Sequence, residues 1–128
     1  MTVEELAAAA RQAALGSYSP YSKFRVGAVV VAHDGRIFSS ANIENAAYPV
    51  SQCAEANAVN YAASQGVRRI ATVAVACIDA RQADLAYPCG RCRQIMSEFD
   101  VARVLVTTAE GEIRSHTLDE LLPYRFSF

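Results

Sequence analysis

The sequence predicts an α/β protein, three layers deep (α/β/α), built on one mixed five-stranded sheet. Three observations carry that expectation. Helical and β-prone patterns follow one another as helix, hairpin, helix, strand, helix, strand, strand, helix. Asp34-Gly35 between two β-prone segments is a strong hairpin signal. Residues 70–78, Ile-Ala-Thr-Val-Ala-Val-Ala-Cys-Ile, form a continuous apolar run of the kind found in strands covered on both faces.

Each element has its own local reason. Thr2-Val3-Glu4-Glu5 reads as a capping box, with Thr2 closing the helix start and Glu5 reaching back. Val3, Leu6, Ala7, Ala10, Ala13 and Ala14 give that helix an apolar stripe, its small alanines suited to close packing, and Gly16 is a good stop. Residues 17–24 are a loop rich in hydroxyls and aromatics. Val26 to Ala32 is a β-prone run, and residues 36–41 return as its hairpin partner.

Residues 53–64 have helical composition and stop at Gly66, before the apolar strand at 70–78. A loop follows over 79–87, then a helix over 88–99 that opens with Pro88. Residues 103–108 are a strand, 113–116 a short edge strand, and 117–122 a short capped helix ended by Pro123. The tail Tyr124-Arg125-Phe126-Ser127-Phe128 is too aromatic for a plain solvated terminus, and is expected to pack on this chain or a neighbour.

At 128 residues, with 52% hydrophobic and 20% charged residues, the chain fits a single domain over 1–128 with a sizeable core. A net charge of −1 argues against a nucleic-acid binder, which shows a basic face. No apolar run reaches the roughly 18 residues that span a bilayer. The first 16 residues are acidic and alanine-rich, unlike a signal peptide, so a cytoplasmic protein with reduced cysteines is expected. Reduced cysteines at close spacing suggest metal or catalysis more than disulfides.

The chemistry gathers in Cys53-Ala54-Glu55 and Pro88-Cys89-Gly90-Arg91-Cys92. Cys89 and Cys92, three apart, share one side of a helical turn. Alone, such a pair suits a redox couple or half a zinc site. Both stretches stand where a helix begins, and there free N–H groups and the helix dipole favour thiolate. For a fourth ligand, Cys77 lies in the apolar strand as a small hydrophobe, while His33 and His116 end strands at surface positions. Three ligands with one open position are therefore expected for Zn²⁺. Glu55 faces such a metal only if Cys53 enters from the helix cap; on spacing alone, a surface carboxylate at a helix start explains it equally. Asn42 and Glu44, two apart in an extended segment, point the same way and suit sugar hydroxyls, although solvated loop residues share that pattern. Phe24 stands at the mouth of the sheet as a core aromatic or as a wall for a flat ring.

These motifs together resemble the small, homotetrameric zinc-dependent cytidine deaminases. Cys53-Ala54-Glu55 and Pro88-Cys89-Gly90-Arg91-Cys92 match the zinc-deaminase pattern of a ligand, a spacer and a glutamate, followed later by P-C-x-x-C. Residues 21–28 resemble the family's opening strand, and Asn42-Ile43-Glu44-Asn45-Ala46 its ribose-binding segment. The likeness spans nearly the whole chain. It implies a cytidine deaminase-like fold in which Cys53, Cys89 and Cys92 bind zinc and Glu55 moves protons. Asn42 and Glu44 would hold the ribose, Phe24 would stack on the pyrimidine, and the Ala54 backbone would meet the base. Ala46 and Pro88 fall in its substrate-binding segments. Tyr48 and Phe126 would reach a neighbouring subunit's site in a homotetramer with shared active sites.

Such an enzyme hydrolyses cytidine and deoxycytidine to uridine and deoxyuridine in pyrimidine salvage, with a nucleoside, and neither nucleic acid nor membrane, as its partner. The chain departs from the family where Ala56 follows the glutamate in place of the common arginine that hydrogen-bonds the zinc thiolates. Arg91, Arg93 and, more weakly, Asn57 are the replacements that sequence proximity offers. Residues 49–52 also differ from the commoner glycine-containing form. These departures keep open a deaminase of the same fold acting on another cytosine nucleoside, such as a nucleoside antibiotic. A non-enzymatic zinc module with Cys77 as the fourth ligand is the alternative of another class.

Overall fold

A computed structural model of the chain describes residues 1–128. Its first helix, α1 (Val3–Ala14), starts at the expected capping box: Thr2 Oγ1 accepts from the Glu5 N–H, and the Glu5 carboxylate accepts from the Thr2 N–H. The five strands are β1 (Val26–Ala32), β2 (Ile37–Ala41), β3 (Ile70–Cys77), β4 (Arg103–Thr107) and β5 (Ile113–Thr117). They form one sheet in the order β2-β1-β3-β4-β5. Only β3 and β4 run parallel; the other neighbours are antiparallel. The sheet is therefore mixed, as expected. The parallel pair is joined through α3 (Gly90–Glu98), in keeping with the crossover that parallel strands need. Helices α2 (Ala54–Ser64) and α4 (Leu118–Leu121) complete the helical set.

Side-chain alternation sorts the sheet into two faces. Ala28, Val30, Val73, Val75, Val104 and Val106 point to one face and pack with Ala58 and Val59 of α2, Met96 of α3 and Leu118 of α4. Val29, Ala74, Ala76 and Leu105 point to the other and meet Leu6 and Ala10 of α1. This is the predicted α/β/α layering. Strand β3 is buried along nearly its whole length because both faces are covered. The alanine stripe of α1 has a partner in Gly27: a Cβ there would collide with the backbone of Ala10 and Ala14. That close approach holds α1 tight against β1.

Boundaries shift in an informative way. Cys53 and Cys89, expected inside helices, are the extended N-cap residues of α2 and α3. Residues 83–85 make a short 3₁₀ turn inside the segment read as loop, and residues 48–50 make another.

Candidate active site

Helices α2 and α3 begin side by side and bring their capping cysteines together. The sulfurs of Cys53, Cys89 and Cys92 lie within 4.8 Å of one another. Tetrahedral zinc with Zn–S bonds of about 2.3 Å needs sulfurs roughly 3.8 Å apart, so a small inward adjustment closes the set. All three cysteines are free. The Cys53 thiol is held down to about 6, first by a hydrogen bond from Cys92, with further help from Cys89 and from the Arg91 guanidinium. Cys92 is pushed up, as the donor in that bond and by burial. Even without metal, the cluster thus concentrates negative charge at Cys53, and its soft-donor chemistry fits zinc. Cys77 lies outside the cluster: its sulfur donates to the Ala86 carbonyl at 3.6 Å, and burial, then the Glu55 charge, push its thiol up to about 12. The four-cysteine alternative therefore loses its fourth ligand.

Because Cys53 is the cap, Glu55 falls in the first turn of α2 and turns inward, the condition that the spacing had left open. It is 5% exposed. Burial raises its carboxyl to about 7, and the Cys53 charge adds to the rise; a hydrogen bond from Cys92 works against it. A carboxyl that titrates near neutrality can both take and give a proton at pH 7.

A cavity of about 260 Å³ opens beside this centre. Its wall includes Phe24, Asn42, Glu44, Cys53, Ala54, Glu55 and Cys89 from the expected set. Residues 42–44 reach it because they are bridged on both sides. Tyr18 N–H donates to Asn42 O at 3.0 Å, and Glu44 N–H to Tyr18 O at 2.8 Å. On the other side, Ile43 and Gln52 exchange backbone bonds of 2.9 and 2.8 Å, locking the segment to the residue before Cys53.

The amide of Asn42 is largely spent within the chain. Its Oδ1 accepts from Ser17 Oγ at 2.6 Å and Val26 N–H at 2.9 Å, and its Nδ2 donates to the Phe24 carbonyl at 2.9 Å. One amide hydrogen remains for a ligand. Glu44 Oε1 accepts from the N–H groups of Tyr21 (2.9 Å) and Ser22 (3.1 Å), and Oε2 from the Ser22 hydroxyl. These bonds, the Ser22 hydroxyl foremost, hold its carboxyl below the usual range, so it is an ionised acceptor at neutral pH.

Other expected residues stand elsewhere. Ala46 is exposed and Pro88 buried, and neither lines the cavity. Tyr48 lines an adjoining groove with Tyr21, Ser22, Glu44 and Ser51. Phe126, 66% exposed, lies against Gln94 and Ser97 on the far side of α3. Arg93 is committed to structure: Nε donates to Pro88 O at 2.8 Å and Nη1 to Leu121 O at 2.6 Å. Asn57 donates to Ala41 O at 2.9 Å.

Sequence reasoning missed Tyr87, which lines the cavity from the loop before Pro88. Its hydroxyl lies 2.8 Å from His116 Nε2, so His116 is half-buried and bonded, contrary to its expected surface position. The only signal was an aromatic directly ahead of the Pro-Cys pair.

An α/β/α sheet that brings three thiols and a buried carboxylate together at the starts of two helices defines a protein with a cluster positioned to hold a metal ion. The sequence model for the cytidine and deoxycytidylate deaminase zinc-binding region matches residues 1–108. The chain is 43% identical over 129 residues to the cytidine deaminase of Sporosarcina psychrophila, covering 99% of this chain and 93% of that one. It is 40% identical over 117 residues to the cytidine deaminase of Mycobacterium tuberculosis, covering 91% and 84%. The crystal structure of the Burkholderia pseudomallei cytidine deaminase superposes with a TM-score of 0.91 at 38% identity, covering 98% of this chain and all (100%) of that one. The chain belongs to the zinc-binding cytidine and deoxycytidylate deaminase family.

Proposed function

We propose that this protein, as a single catalytic domain over 1–128, hydrolyses cytidine and deoxycytidine to uridine and deoxyuridine with release of ammonia, a step of pyrimidine salvage. The observation that carries this reading is Glu55: a carboxyl only 5% exposed, beside three converging thiols, on the wall of the cavity. Cys53, Cys89 and Cys92 hold the metal. When bound, zinc supplies Lewis-acid chemistry that brings the pKa of water toward neutrality.

The chain's own residues do the rest. Glu55 takes a proton from the attacking water and passes it to the ring nitrogen next to C4. Oxygen adds at C4, Glu55 then takes the remaining proton of the new C4 hydroxyl and delivers it to the amino group, the C4–N bond breaks as the C4 carbonyl forms, and ammonia leaves. Phe24 and Ala54 both line the cavity, which supports roles in which the Phe24 ring stacks on the pyrimidine and the Ala54 backbone meets the base. Asn42 and Glu44 hold the ribose, one through its spare amide hydrogen and the other as an ionised acceptor. Ala46 and Pro88 act through the backbone course of their segments, since their side chains stand off the cavity.

Tyr48 and Phe126 are large and exposed, at 72% and 66%, and serve a neighbouring subunit's site in a homotetramer. No helix is long and apolar enough to cross a membrane, which suits a cytoplasmic enzyme. Incubating the zinc-loaded protein with cytidine and following uridine and ammonia tests the reading; no conversion under saturating zinc overturns it. Parallel turnover of modified cytosine nucleosides measures preference, and light scattering measures the oligomer.

A further inference from the structure

Tyr87 stands on the cavity wall, and its hold comes from the edge strand of the sheet. Arg114 and His116, two apart on β5, pair with Val106 and Val104 and so share the face that α2, α3 and α4 cover. The Tyr87 oxygen lies 2.8 Å from His116 Nε2 and accepts from Arg114 Nη1 at 3.4 Å. With the oxygen accepting from Arg114, its own hydrogen is free for His116. The Tyr87 and His116 ring centroids are 5.3 Å apart, and the Arg114 guanidinium sits 6.0 Å from the centre of the Tyr87 ring. Arg114 is fixed in turn by Asp84 at 2.6 Å and Glu112 at 2.9 Å. The backbone just ahead of Tyr87 is fixed as well, because the Ala86 carbonyl accepts from Cys77 at 3.6 Å. A tyrosine bound on this many sides is a rigid wall. Neither His116 nor Arg114 lines the cavity itself.

Chain position assigns Tyr87 to the metal end of the cavity. It comes two residues before Cys89, so the two Cα atoms are at most about 7 Å apart. The deaminase reading puts C4 of the pyrimidine at that end. The ring neighbours of C4 are N3, which takes its proton from Glu55, and C5. We propose that Tyr87 is a specificity-determining residue, its pinned ring limiting the substituents that a cytosine nucleoside can carry at C5. The inference rests on the reading of this site as a cytidine deaminase.

The test gives the zinc-loaded full-length protein cytidine and 5-iodocytidine, and reads the ratio of the two kcat/KM values. Tyr87→Ala should shift that ratio toward the iodinated substrate by about 10-fold or more, the scale on which an apolar pocket discriminates by size. Tyr87→Phe keeps the ring and loses its bond to His116, and should shift the ratio the same way by a smaller factor. His116→Ala removes that bond without touching the cavity, and should match Tyr87→Phe. The double variant should then shift no further, since both changes break one interaction. Affinities for uridine and 5-iodouridine, measured by calorimetry, should move in parallel. Binding of both without conversion of cytidine would overturn the deaminase reading, and the affinity ratio would still decide the role of Tyr87. Unchanged ratios in both Tyr87→Ala and Tyr87→Phe would overturn that role. A His116→Ala shift that adds in full to that of Tyr87→Phe would overturn the tether.

Discussion

The Asn42 side-chain amide donates to the Phe24 carbonyl at 2.9 Å while accepting the Val26 N–H at 2.9 Å. One amide thus spans the residue on either side of Arg25 and fixes the start of β1. Phe24 owes its place on the cavity wall to this clamp. Asn42→Ala should therefore do two things at once. Part-buried backbone groups of Phe24 and Val26 lose their partners, costing about 1–3 kcal/mol, which a denaturant melt will read. KM for cytidine should rise, because both the ribose contact and the seat of Phe24 are disturbed. Asn42→Asp keeps the acceptor but sets a carboxylate oxygen against the Phe24 carbonyl, so its stability loss should be at least as large. An Asn42→Asp variant as stable as wild type would show that the donor to Phe24 matters little.

Glu55→Gln removes the proton carrier while keeping the size and most of the polarity of the side chain. Zinc content and melting temperature should stay near wild type, since desolvating an amide costs less than desolvating a carboxylate. Turnover should drop by about 10²–10⁴-fold, the usual contribution of a positioned acid–base group. Full activity in this variant would remove Glu55 from the mechanism.

Which features were legible follows from the range of the contacts. Cys53, Glu55, Cys89 and Cys92 were readable because each lies within a few residues of a helix start, where capping and dipole effects are local. The inward turn of Glu55 was not, because it depends on Cys53 standing at the cap. The layering of the sheet was readable from β3, whose unbroken apolar run requires cover on both faces. The internal bonding of Asn42 and Glu44 was hidden, because Ser17, Ser22, Phe24 and Val26 lie 16 to 25 positions away and meet them only after folding. Tyr87 and His116 are 29 apart and on different elements, so no period or motif links them.

Removing zinc should expose a graded thiol reactivity. In the metal-free protein Cys53 is thiolate at neutral pH, with its pKa near 6, and Cys89 is exposed, so both should react early with iodoacetamide. Cys92 is buried and pushed up, and should follow. Cys77, with its thiol near 12, should react last with or without metal. Zinc should protect the first three and leave the rate at Cys77 unchanged. Peptide mass spectrometry after timed alkylation reads all four sites; protection of Cys77 by zinc would place it in the metal set after all.

The ion pair that anchors the front of β1 gives the fold an acid-sensitive element. Asp79, just past β3, accepts from the Arg25 N–H at 2.8 Å and pairs with the Arg25 guanidinium at 3.0 and 2.8 Å. The guanidinium first, and then the Arg25 backbone N–H, hold the Asp79 carboxyl below the usual aspartate range. Between its folded and unfolded pKa values the folded chain binds fewer protons, so stability rises with pH across that window. The contribution is complete above the unfolded value of about 3.9 and is lost as pH falls through the folded value. Asp79→Asn keeps the shape and removes the titration. The gap in stability between wild type and Asp79→Asn should therefore be constant from pH 5 to 7 and shrink below about pH 4. Because the pair is at the surface, the gap should also narrow in high salt. Urea melts of the two proteins across that pH range measure it directly, and a gap that widened toward acid would contradict the sign derived from the geometry.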